Sequence, residues 1–283
     1  MQKTDYLADF VRDVYCPERD IEPSTQAFYL CKAVTFEETI GRKALVSDLN
    51  DVTINKYLTA RLSKVARDTV RGERSTLLAF WRSTYDGRIL DVPPGRVKPI
   101  KKIPKIVEGW TDEELARLIG IIAGLRGCFR MKFVERGPFW LAVVLALYDT
   151  GLRLGDLLRL EAKQLLAGRP FPVCQHKTRK LVDVALSPET IEAIKRIYSP
   201  SRPRPFDILN RRSFYIAFAD LCKAAGLQGR TKRLRITSGS RVEQFHPGEG
   251  HLHLGNGREV FASHYEWRAV TKRPTRLPPK IGA

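Results

Sequence analysis

Apolar residues recur at helical spacing along most of the chain. Residues 1–90 follow the pattern of several short amphipathic helices. The run FWLAVVLAL, at 139–147, is apolar on every face, and it is about half the roughly 20 residues that span a bilayer. It therefore predicts a buried helix. Helical spacing returns in SPETIEAIKRIY and in RRSFYIAFADLCKAAGL.

One stretch changes period from helix to strand. Directly after a short polar turn at 177–180, the residues Val182, Val184 and Leu186 alternate with Leu181, Asp183 and Ala185. The pair Ser187-Pro188 then favours the start of a new helix. The patterns together predict a mainly α fold with a small β-sheet, in the α+β class.

Two signals divide the chain into domains. The stretch DVPPGRVKPIKKIPKIVEG contains four prolines and many basic residues, which is typical of an extended linker. The sequence WTDEEL follows, in which Thr111 and Glu114 have the spacing of a helix capping box. We predict a helical domain over 1–92, a basic linker over 93–108, and a second domain over 109–283 that includes a C-terminal tail.

Composition narrows the class of protein. Hydrophobic residues make up 43% of the chain and charged residues 28%, which fits a folded globular protein. The five cysteines are scattered without CxxC spacing, so the sequence predicts neither a disulfide framework nor a thiolate metal site, and it favours a reducing compartment. The N-terminal residues lack the pattern of a secretory signal.

The charge is unevenly distributed. The net charge is +18, yet residues 1–95 hold 14 basic and 14 acidic residues, so the whole excess lies in 96–283. Such a field attracts polyanions, and nucleic acid is the expected partner. An anionic membrane is the alternative, but the sequence contains neither a basic amphipathic helix nor a lipidation motif.

Basic residues of two segments are candidates for contact with a nucleic acid. In the segment 61–74 they recur at helical intervals, which predicts one basic face, although a simply solvated charged face would have the same pattern. The linker contributes a second group. The candidates are Arg61, Lys64, Arg67, Arg71 and Arg74 in the first segment, and Lys98, Lys101 and Lys102 in the second.

Four separated motifs carry the chemistry. They are TGLRLGDLLRL at 150–160, QHKTRK at 175–180, KRLRITSGSRVEQ at 232–244, and HLGN followed by HYE. In this order and spacing they resemble the tyrosine recombinase (phage integrase) family, over residues from about 50 to 268. The resemblance implies a helical core-binding domain followed by the catalytic domain of that family.

The resemblance assigns a role to seven positions. It implies two phosphate-binding arginines, an acidic supporting residue, a hairpin lysine, two further phosphate or tyrosine contacts, and a nucleophile. In that order these are Arg153 and Arg235, Asp156, Lys177, Lys232 and Asn256, and Tyr265. Two of the positions depart from the family pattern, which usually has His at position 232 and His or Trp at position 256.

The residue types suit the implied reaction. A phenol can store a phosphodiester bond as a 3′-phosphotyrosyl ester, provided that cations favour the phenolate during attack. Guanidinium groups hold the non-bridging oxygens, and a lysine can protonate the leaving 5′-oxygen. We expect no cofactor and no metal.

The arginine and lysine assignments each have a structural alternative. Arg153 could pair with Asp156 or with a helix C-terminus and serve only the fold. Lys177 has two rivals in the same turn, Arg179 and Lys180.

The assignment of Tyr265 also has an alternative, since a tyrosine can be a packed aromatic with a satisfied hydroxyl. The other tyrosines after residue 150, Tyr198 and Tyr215, are predicted at core positions of amphipathic helices. A zinc site is a further alternative for the histidines of the same region, but they lack HxxxH spacing and a cysteine partner. These are His246, His251, His253 and His264.

The sequence thus predicts a site-specific recombinase that acts on double-stranded DNA. A type IB topoisomerase and a DNA-binding protein that has lost catalysis are the alternatives. The expected partners are a homo-tetramer on paired sites and DNA-bending accessory proteins, without a membrane, in the cytoplasm at the nucleoid. The tail at 269–283 is predicted to dock on a neighbouring protomer.

Overall fold

The computed structural model describes residues 6–103, 106–129 and 133–267. The chain divides into two compact units, Met1–Lys105 and Ile106–Ala283. The division falls inside the stretch that the sequence predicts as a linker. The predicted docking segment at 269–283 lies outside the described residues.

The regular secondary structure in the described part of the first unit is helical. Its core contains edge-to-face aromatic pairs, in which the ring centroids of Tyr15 and Phe80 lie 4.9 Å apart and those of Phe36 and Tyr57 lie 5.1 Å apart. The elements are α1 (Leu7–Phe10), a π-helical turn (Val11–Tyr15), α2 (Cys16–Glu18), α3 (Pro23–Ile40), a 3-10 turn (Val46–Asp48), α4 (Asp51–Leu62) and α5 (Arg67–Asp86).

The basic residues of segment 61–74 do not share one helix, contrary to their helical spacing. Helix α4 ends at Leu62 and α5 begins at Arg67. Ala66, which caps α5, has an extended backbone with ψ of 140°, so the helical path is interrupted before it. Arg61 therefore belongs to α4, and Lys64 lies in the connection.

The stretch after α5 is extended and follows the first unit as far as residue 100. Val97 and Ile100 are buried in the core of that unit. The Asn55 side chain accepts a hydrogen bond from the Lys98 N–H at 2.7 Å and donates to the Arg96 carbonyl at 3.1 Å. Prolines prevent a helix here, and side chains of the unit satisfy the backbone instead.

The second unit combines helices with two short sheets. Its core is built around Trp140 of α7, whose ring contacts Phe214 and Phe218 of α11. The elements are α6 (Asp112–Ala123), β1 (Cys128–Phe129), β2 (Val134–Glu135), α7 (Arg136–Thr150), α8 (Leu154–Leu157), α9 (Ala162–Leu165), β3 (Phe171–Cys174), β4 (Leu181–Val184), α10 (Pro188–Ile197), α11 (Arg211–Ala224), α12 (Thr231–Phe245), α13 (Gly250–His253) and α14 (Arg258–His264).

The predicted strand forms one arm of the β3–β4 hairpin. The strands are antiparallel, with Phe171 opposite Val184 and Cys174 opposite Leu181. Alternate residues face the core, as the sequence pattern predicts, although the strand ends before Leu186. The β1–β2 pair was not predicted, because strands of two residues are too short to show alternation.

Local signals for helix boundaries are confirmed. Thr111 and Glu114 form the capping box of α6, with both reciprocal hydrogen bonds present. Ser187 caps α10 and Pro188 is its first residue. The apolar run at 139–147 lies within the buried helix α7. No helix in the described part of the chain has both the length and the apolar character of a membrane span.

Candidate active site

Two glycine turns place backbone carbonyls at the centre of the site. Gly151 ends α7 with φ of +56°, and Gly255 follows α13 with φ of +63°. Both positions are also crowded, since a Cβ on Gly151 would lie 2.6 Å from the Leu254 side chain and one on Gly255 would lie 2.8 Å from the Gln175 amide nitrogen. Glycine is therefore required for conformation and for space.

Arg235 lies on α12 with its side chain between these turns. Its Nη1 donates to the Gly151 carbonyl and its Nη2 donates to the Leu254 carbonyl at 2.6 Å. The residue is 3% exposed, and its Nε has no hydrogen-bond partner among the described residues. Burial lowers the pKa of Arg235 to about 10.

Arg153 lies just before α8 and is half-buried. Its Nη1 donates to the Gln175 side-chain oxygen, and its Nη2 lies 3.4 Å from Oδ1 of Asn256, at the long end of hydrogen-bond distance. Among the described residues Asp156 instead pairs with Arg159, at 3.0 Å. The alternative in which Arg153 serves as the partner of Asp156 is therefore wrong.

Asp156 joins α8 to the hairpin. Its Oδ1 accepts a hydrogen bond from the backbone N–H of His176 at 3.0 Å, in addition to the bond from Arg159. The carboxylate is 4% exposed. It therefore fixes the turn that carries Lys177 against the element that carries Arg153, which agrees with a supporting role.

Tyr265 ends α14, and its ring lies under two cations. The Lys232 Nζ is 5.4 Å from the ring centroid and the Arg235 Cζ is 5.1 Å from it. Burial raises the pKa of the Tyr265 phenol, but the charge and hydrogen bonding of Arg235, followed by Arg153 and Lys232, outweigh it. The net pKa therefore lies below the usual value of tyrosine.

The backbone around Tyr265 is held on both sides. The Ser240 hydroxyl donates to the Tyr265 carbonyl at 2.9 Å and accepts from the Trp267 N–H at 2.8 Å. The Tyr265 N–H closes the last turn of α14 on the Phe261 carbonyl. The phenol is therefore presented by a fixed backbone rather than by a loose loop.

Asn256 follows Gly255 and is 8% exposed. Its Oδ1 faces Arg153, while its Nδ2 is buried without a hydrogen-bond partner among the described residues. A buried, unpaired N–H donor is costly unless a ligand satisfies it. Asn256 and Arg235 therefore both present unpaired donors within the same site.

Lys177 and Lys232 are both exposed. Lys232 lies in the first turn of α12, above Tyr265, whereas Lys177 lies in the turn of the β3–β4 hairpin. In that turn Arg179 has φ of +53°, and its N–H donates to the Gln175 carbonyl. Lys177, Arg179 and Lys180 are all exposed, and the choice of Lys177 among them stays a prediction.

One of the other two tyrosines after residue 150 does not lie where the sequence predicts. Tyr198 was predicted at a core position, but it follows the end of α10 and is 42% exposed. The helical pattern failed because α10 stops one residue earlier. Tyr215 lies on α11 as predicted and is partly buried against the core. Of the three, only Tyr265 has an arginine and a lysine over its ring within the described residues.

Sequence analysis missed two contributors to the site. Gln175 is fully buried between Arg153 and the Leu254 carbonyl. His253 contacts the Ser238 hydroxyl through Nε2 at 2.7 Å, and burial followed by the charge of Arg235 lowers its pKa to about 4. The inward alternation of β3, extended by one residue, could have revealed Gln175.

The remaining histidines do not gather around His253. No group of three or more His, Cys, Asp or Glu residues in the described ranges has the geometry to hold a metal ion.

The eight residues predicted to contact nucleic acid fall into two groups. Two arginines are bonded internally: Arg61 holds Glu73 through two hydrogen bonds of 3.0 and 2.8 Å, and Arg74 donates to the Lys98 and Val97 carbonyls. The other candidates expose their side chains to solvent. These are Lys64, Arg67, Arg71, Lys98, Lys101 and Lys102.

Solved structures with the same fold were found across nearly the whole chain. A lambda integrase dimer bound to a COC′ core site has a TM-score of 0.72 and 19% identity, covering 97% of this chain and 81% of that chain. XerH recombinase bound to a palindromic difH substrate has a TM-score of 0.66 and 16% identity, covering 93% and 80%.

A third similar structure is that of a transposon integrase. The Tn1549 transposon integrase in complex with a circular intermediate DNA has a TM-score of 0.66 and 12% identity, covering 92% of this chain and 95% of that chain. No protein-family model and no curated protein sequence matches the chain. These likenesses show that the chain has the tyrosine recombinase fold.

Proposed function

We propose that the chain is a site-specific DNA recombinase that cleaves and rejoins strands through a 3′-phosphotyrosyl intermediate. The observation that carries the proposal is the convergence of Arg153, Arg235 and Lys232 on Tyr265, which lowers the pKa of its phenol. Three cations around one phenol are unfavourable for folding alone, because like charges repel. They suit a site that receives a phosphate and a nucleophile together.

The proposed chemistry is an in-line transfer. The Tyr265 oxygen attacks the phosphorus, its proton passes to solvent, and the bond from phosphorus to the 5′-oxygen breaks. Arg153 and Arg235 stabilise the charge that grows on the non-bridging oxygens. Lys177 gives a proton to the leaving 5′-oxygen, and the reverse sequence of steps joins a new 5′-hydroxyl to the same phosphate.

The two positions that depart from the family pattern keep a hydrogen-bonding role. Asn256 offers its unpaired Nδ2 to a non-bridging oxygen, as an imidazole N–H would, and Lys232 can contact the phosphate or position the phenol. Neither substitution removes a donor. An active enzyme is therefore favoured over a DNA-binding protein that has lost catalysis.

The partners follow from charge and from the neighbours. Lambda integrase and XerH are described in complex with their DNA sites, and a lambda integrase tetramer is described on a Holliday junction. We infer double-stranded DNA as substrate, a tetramer on paired sites and accessory DNA-bending proteins. The proposed DNA contacts are the exposed residues Lys64, Arg67, Arg71, Lys98, Lys101 and Lys102. The proposed location of the protein is the nucleoid, in the cytoplasm.

A suicide substrate tests the proposal. Sites that the protein binds are first selected from the DNA that flanks its own gene, and each is then nicked beside the candidate cleavage position so that the cut fragment diffuses away. We expect a protein–DNA adduct that survives denaturation, with the modified peptide containing Tyr265. Tyr265→Phe removes only the hydroxyl and should keep DNA binding while the adduct disappears.

Tyr198→Phe is the matched control, because Tyr198 is an exposed tyrosine of the same unit. It should form adducts at the wild-type rate. Undiminished adduct in Tyr265→Phe, or none from the wild type on DNA that it binds, would overturn the proposal. Exchange of strands between two duplexes identifies a recombinase, whereas relaxation of a supercoiled plasmid without exchange identifies a topoisomerase.

A further inference from the structure

Gln175 connects several parts of the site. It directly follows β3 and is fully buried, with 0% exposure. Its Oε1 accepts hydrogen bonds from Arg153 Nη1 and from the Thr178 hydroxyl, the latter at 3.1 Å. Its Nε2 donates to the Leu254 carbonyl at 3.0 Å. The amide therefore uses both its acceptor and its donor inside the protein.

The Leu254 carbonyl links this amide to the second arginine. It accepts from Gln175 Nε2 at 3.0 Å and also from Arg235 Nη2 at 2.6 Å. Arg153 is thus held directly by the acceptor end of Gln175, and Arg235 is held through the carbonyl that the donor end fixes. A single side chain lies between the two guanidinium groups.

The same residue ties the hairpin turn to the site. The Gln175 N–H donates to the Lys180 carbonyl at 2.8 Å, and its own carbonyl accepts from the Arg179 N–H at 2.8 Å. With the Thr178 hydroxyl on Oε1, three hydrogen bonds join Gln175 to the turn that carries Lys177. A displacement of the turn must therefore disturb the amide that holds Arg153.

Few other side chains could fill this position. A carboxylate would hold Arg153, but it would neutralise the guanidinium charge and face the Leu254 carbonyl as a second acceptor. An apolar side chain of similar length would remove the bonds that Gln175 makes to the Leu254 carbonyl and to the Thr178 hydroxyl. A neutral group that both accepts and donates keeps the arginines charged as well as placed.

We propose that Gln175 is a positioning residue that fixes Arg153 and Arg235 relative to each other. It also holds the turn that carries Lys177 in place relative to the two arginines. This assignment rests on the proposed function for its catalytic consequence. The structural part of the assignment, which is the arrangement of the two arginines around the Tyr265 phenol, does not depend on the proposed function.

The first test measures that arrangement without DNA. Tyrosine ring carbons are labelled with 13C, the Tyr265 resonance is assigned by its loss in Tyr265→Phe, and its pKa is measured by NMR titration. In Gln175→Met the arginines lose their common anchor, and we expect the pKa of Tyr265 to rise by about half a pH unit or more. In Gln175→Glu the added negative charge should raise it further.

The second test measures cleavage on a suicide substrate. We expect Gln175→Met to lower the single-turnover rate by about tenfold to a hundredfold while DNA affinity stays within about threefold, because misplaced charges affect the transition state more than binding. Thr178→Val removes only the hydroxyl bond to Oε1 and should lower the rate by about threefold. Its exposed position keeps the variant folded.

Val173→Ala is the matched control. Val173 is a buried residue of the same strand that packs in the core and makes none of the bonds to the arginines. It should lower the melting temperature by at least as much as Gln175→Met and leave the pKa of Tyr265 unchanged. An equal change of pKa in Val173→Ala would overturn the proposal, because general loosening would then explain it.

The remaining outcomes are also decisive. An unchanged Tyr265 pKa in both Gln175→Met and Gln175→Glu would overturn the positioning role. If Gln175→Met does not fold, Gln175→Glu and Thr178→Val decide the question. If the wild type forms no adduct but the Gln175 variants change the pKa of Tyr265, the recombinase function fails and the positioning of the arginines stands.

Discussion

Each unit contains an arginine that is largely shielded from solvent, and the two arginines, Arg61 and Arg235, are held in opposite ways. In the first unit Arg61 makes two hydrogen bonds to the carboxylate of Glu73, which is 1% exposed, and Lys32 lies 3.4 Å from the same group. In the second unit Arg235 is held by the carbonyls of Gly151 and Leu254. One guanidinium is neutralised by its partner, and the other is not.

The pKa values of the two arginines are shifted in opposite directions, as their partners would lead one to expect. The hydrogen bond to Glu73 raises the pKa of Arg61, whereas burial lowers that of Arg235 to about 10. An arginine opposite a carboxylate contributes to folding only by compensating that charge. An arginine held by neutral acceptors is not neutralised and can still bind another anion. Its burial lowers the stability of the fold, which is typical of a functional site.

The same substitution at both positions should separate these roles, with the largest effect at Arg235. Arg235→Gln removes the charge but leaves an amide that can donate to one of the two carbonyls. We expect the single-turnover cleavage rate to fall by about a hundredfold to a thousandfold, as for loss of one oxyanion donor. The stability of the second unit should change by no more than about 1 kcal/mol, since the relief of desolvation offsets the lost hydrogen bond.

The cleavage rate is measured on the suicide substrate. Stability is measured by urea unfolding, with hydrogen exchange followed separately in each unit. A severe loss of stability in Arg235→Gln would place this arginine in the same structural class as Arg61. Wild-type cleavage in a folded Arg235→Gln would remove it from the reaction.

Arg61→Gln should give the reverse result. Removing one partner of a buried ion pair leaves Glu73 uncompensated, which costs about 3 kcal/mol, toward the lower end of the usual range because Lys32 remains nearby. Exchange protection of α4 and α5 should fall accordingly. The cleavage rate of the folded protein at saturating concentration should stay within about threefold of wild type.

The double variant Arg61→Gln with Glu73→Gln is the control. It removes both charges and should recover most of the lost stability. Should Arg61→Gln instead leave stability intact and weaken DNA binding, Arg61 would be a DNA contact, as its spacing along the sequence first predicts, and the contrast between the two units would disappear.

This contrast also marks the limit of prediction from sequence. The resemblance placed Arg153, Arg235 and Tyr265 in one reaction, and the structure brings their side chains together. Periodicity predicted the buried helix α7 and the strand β4, because the spacing of apolar residues reflects burial directly. The spacing of charged residues, however, does not show whether a charge has an internal partner, so it could not tell the internally bonded Arg61 from the exposed Arg67.

Other features depend on contacts between distant parts of the chain. Gln175 and Leu254 are 79 residues apart, and their hydrogen bond leaves no local pattern. The β1–β2 pair was missed because its strands are two residues long. The sequence therefore predicts residues whose type is chemically distinctive, and it misses neutral residues that place them.

The smallest expected effect concerns His253, which lies beside the uncompensated Arg235. Burial, followed by the charge of Arg235, lowers the pKa of His253 to about 4. An unfolded histidine has a pKa of about 6.5, so between these values the unfolded chain binds a proton that the folded chain does not. Stability is therefore fully present above about pH 6.5 and is lost as the pH falls toward 4. Between pH 7 and pH 5 we expect a loss of about 2 kcal/mol from this residue.

Urea unfolding of the second unit at pH 7 and pH 5 measures this loss. His253→Gln replaces the ring by a neutral side chain that can still bond the Ser238 hydroxyl, so most of the difference between the two pH values should disappear. His246→Gln is the matched control, because His246 is exposed at the end of α12, and it should keep the wild-type dependence. The same pH dependence in His253→Gln and wild type would mean that protonation of His253 does not oppose the folded state.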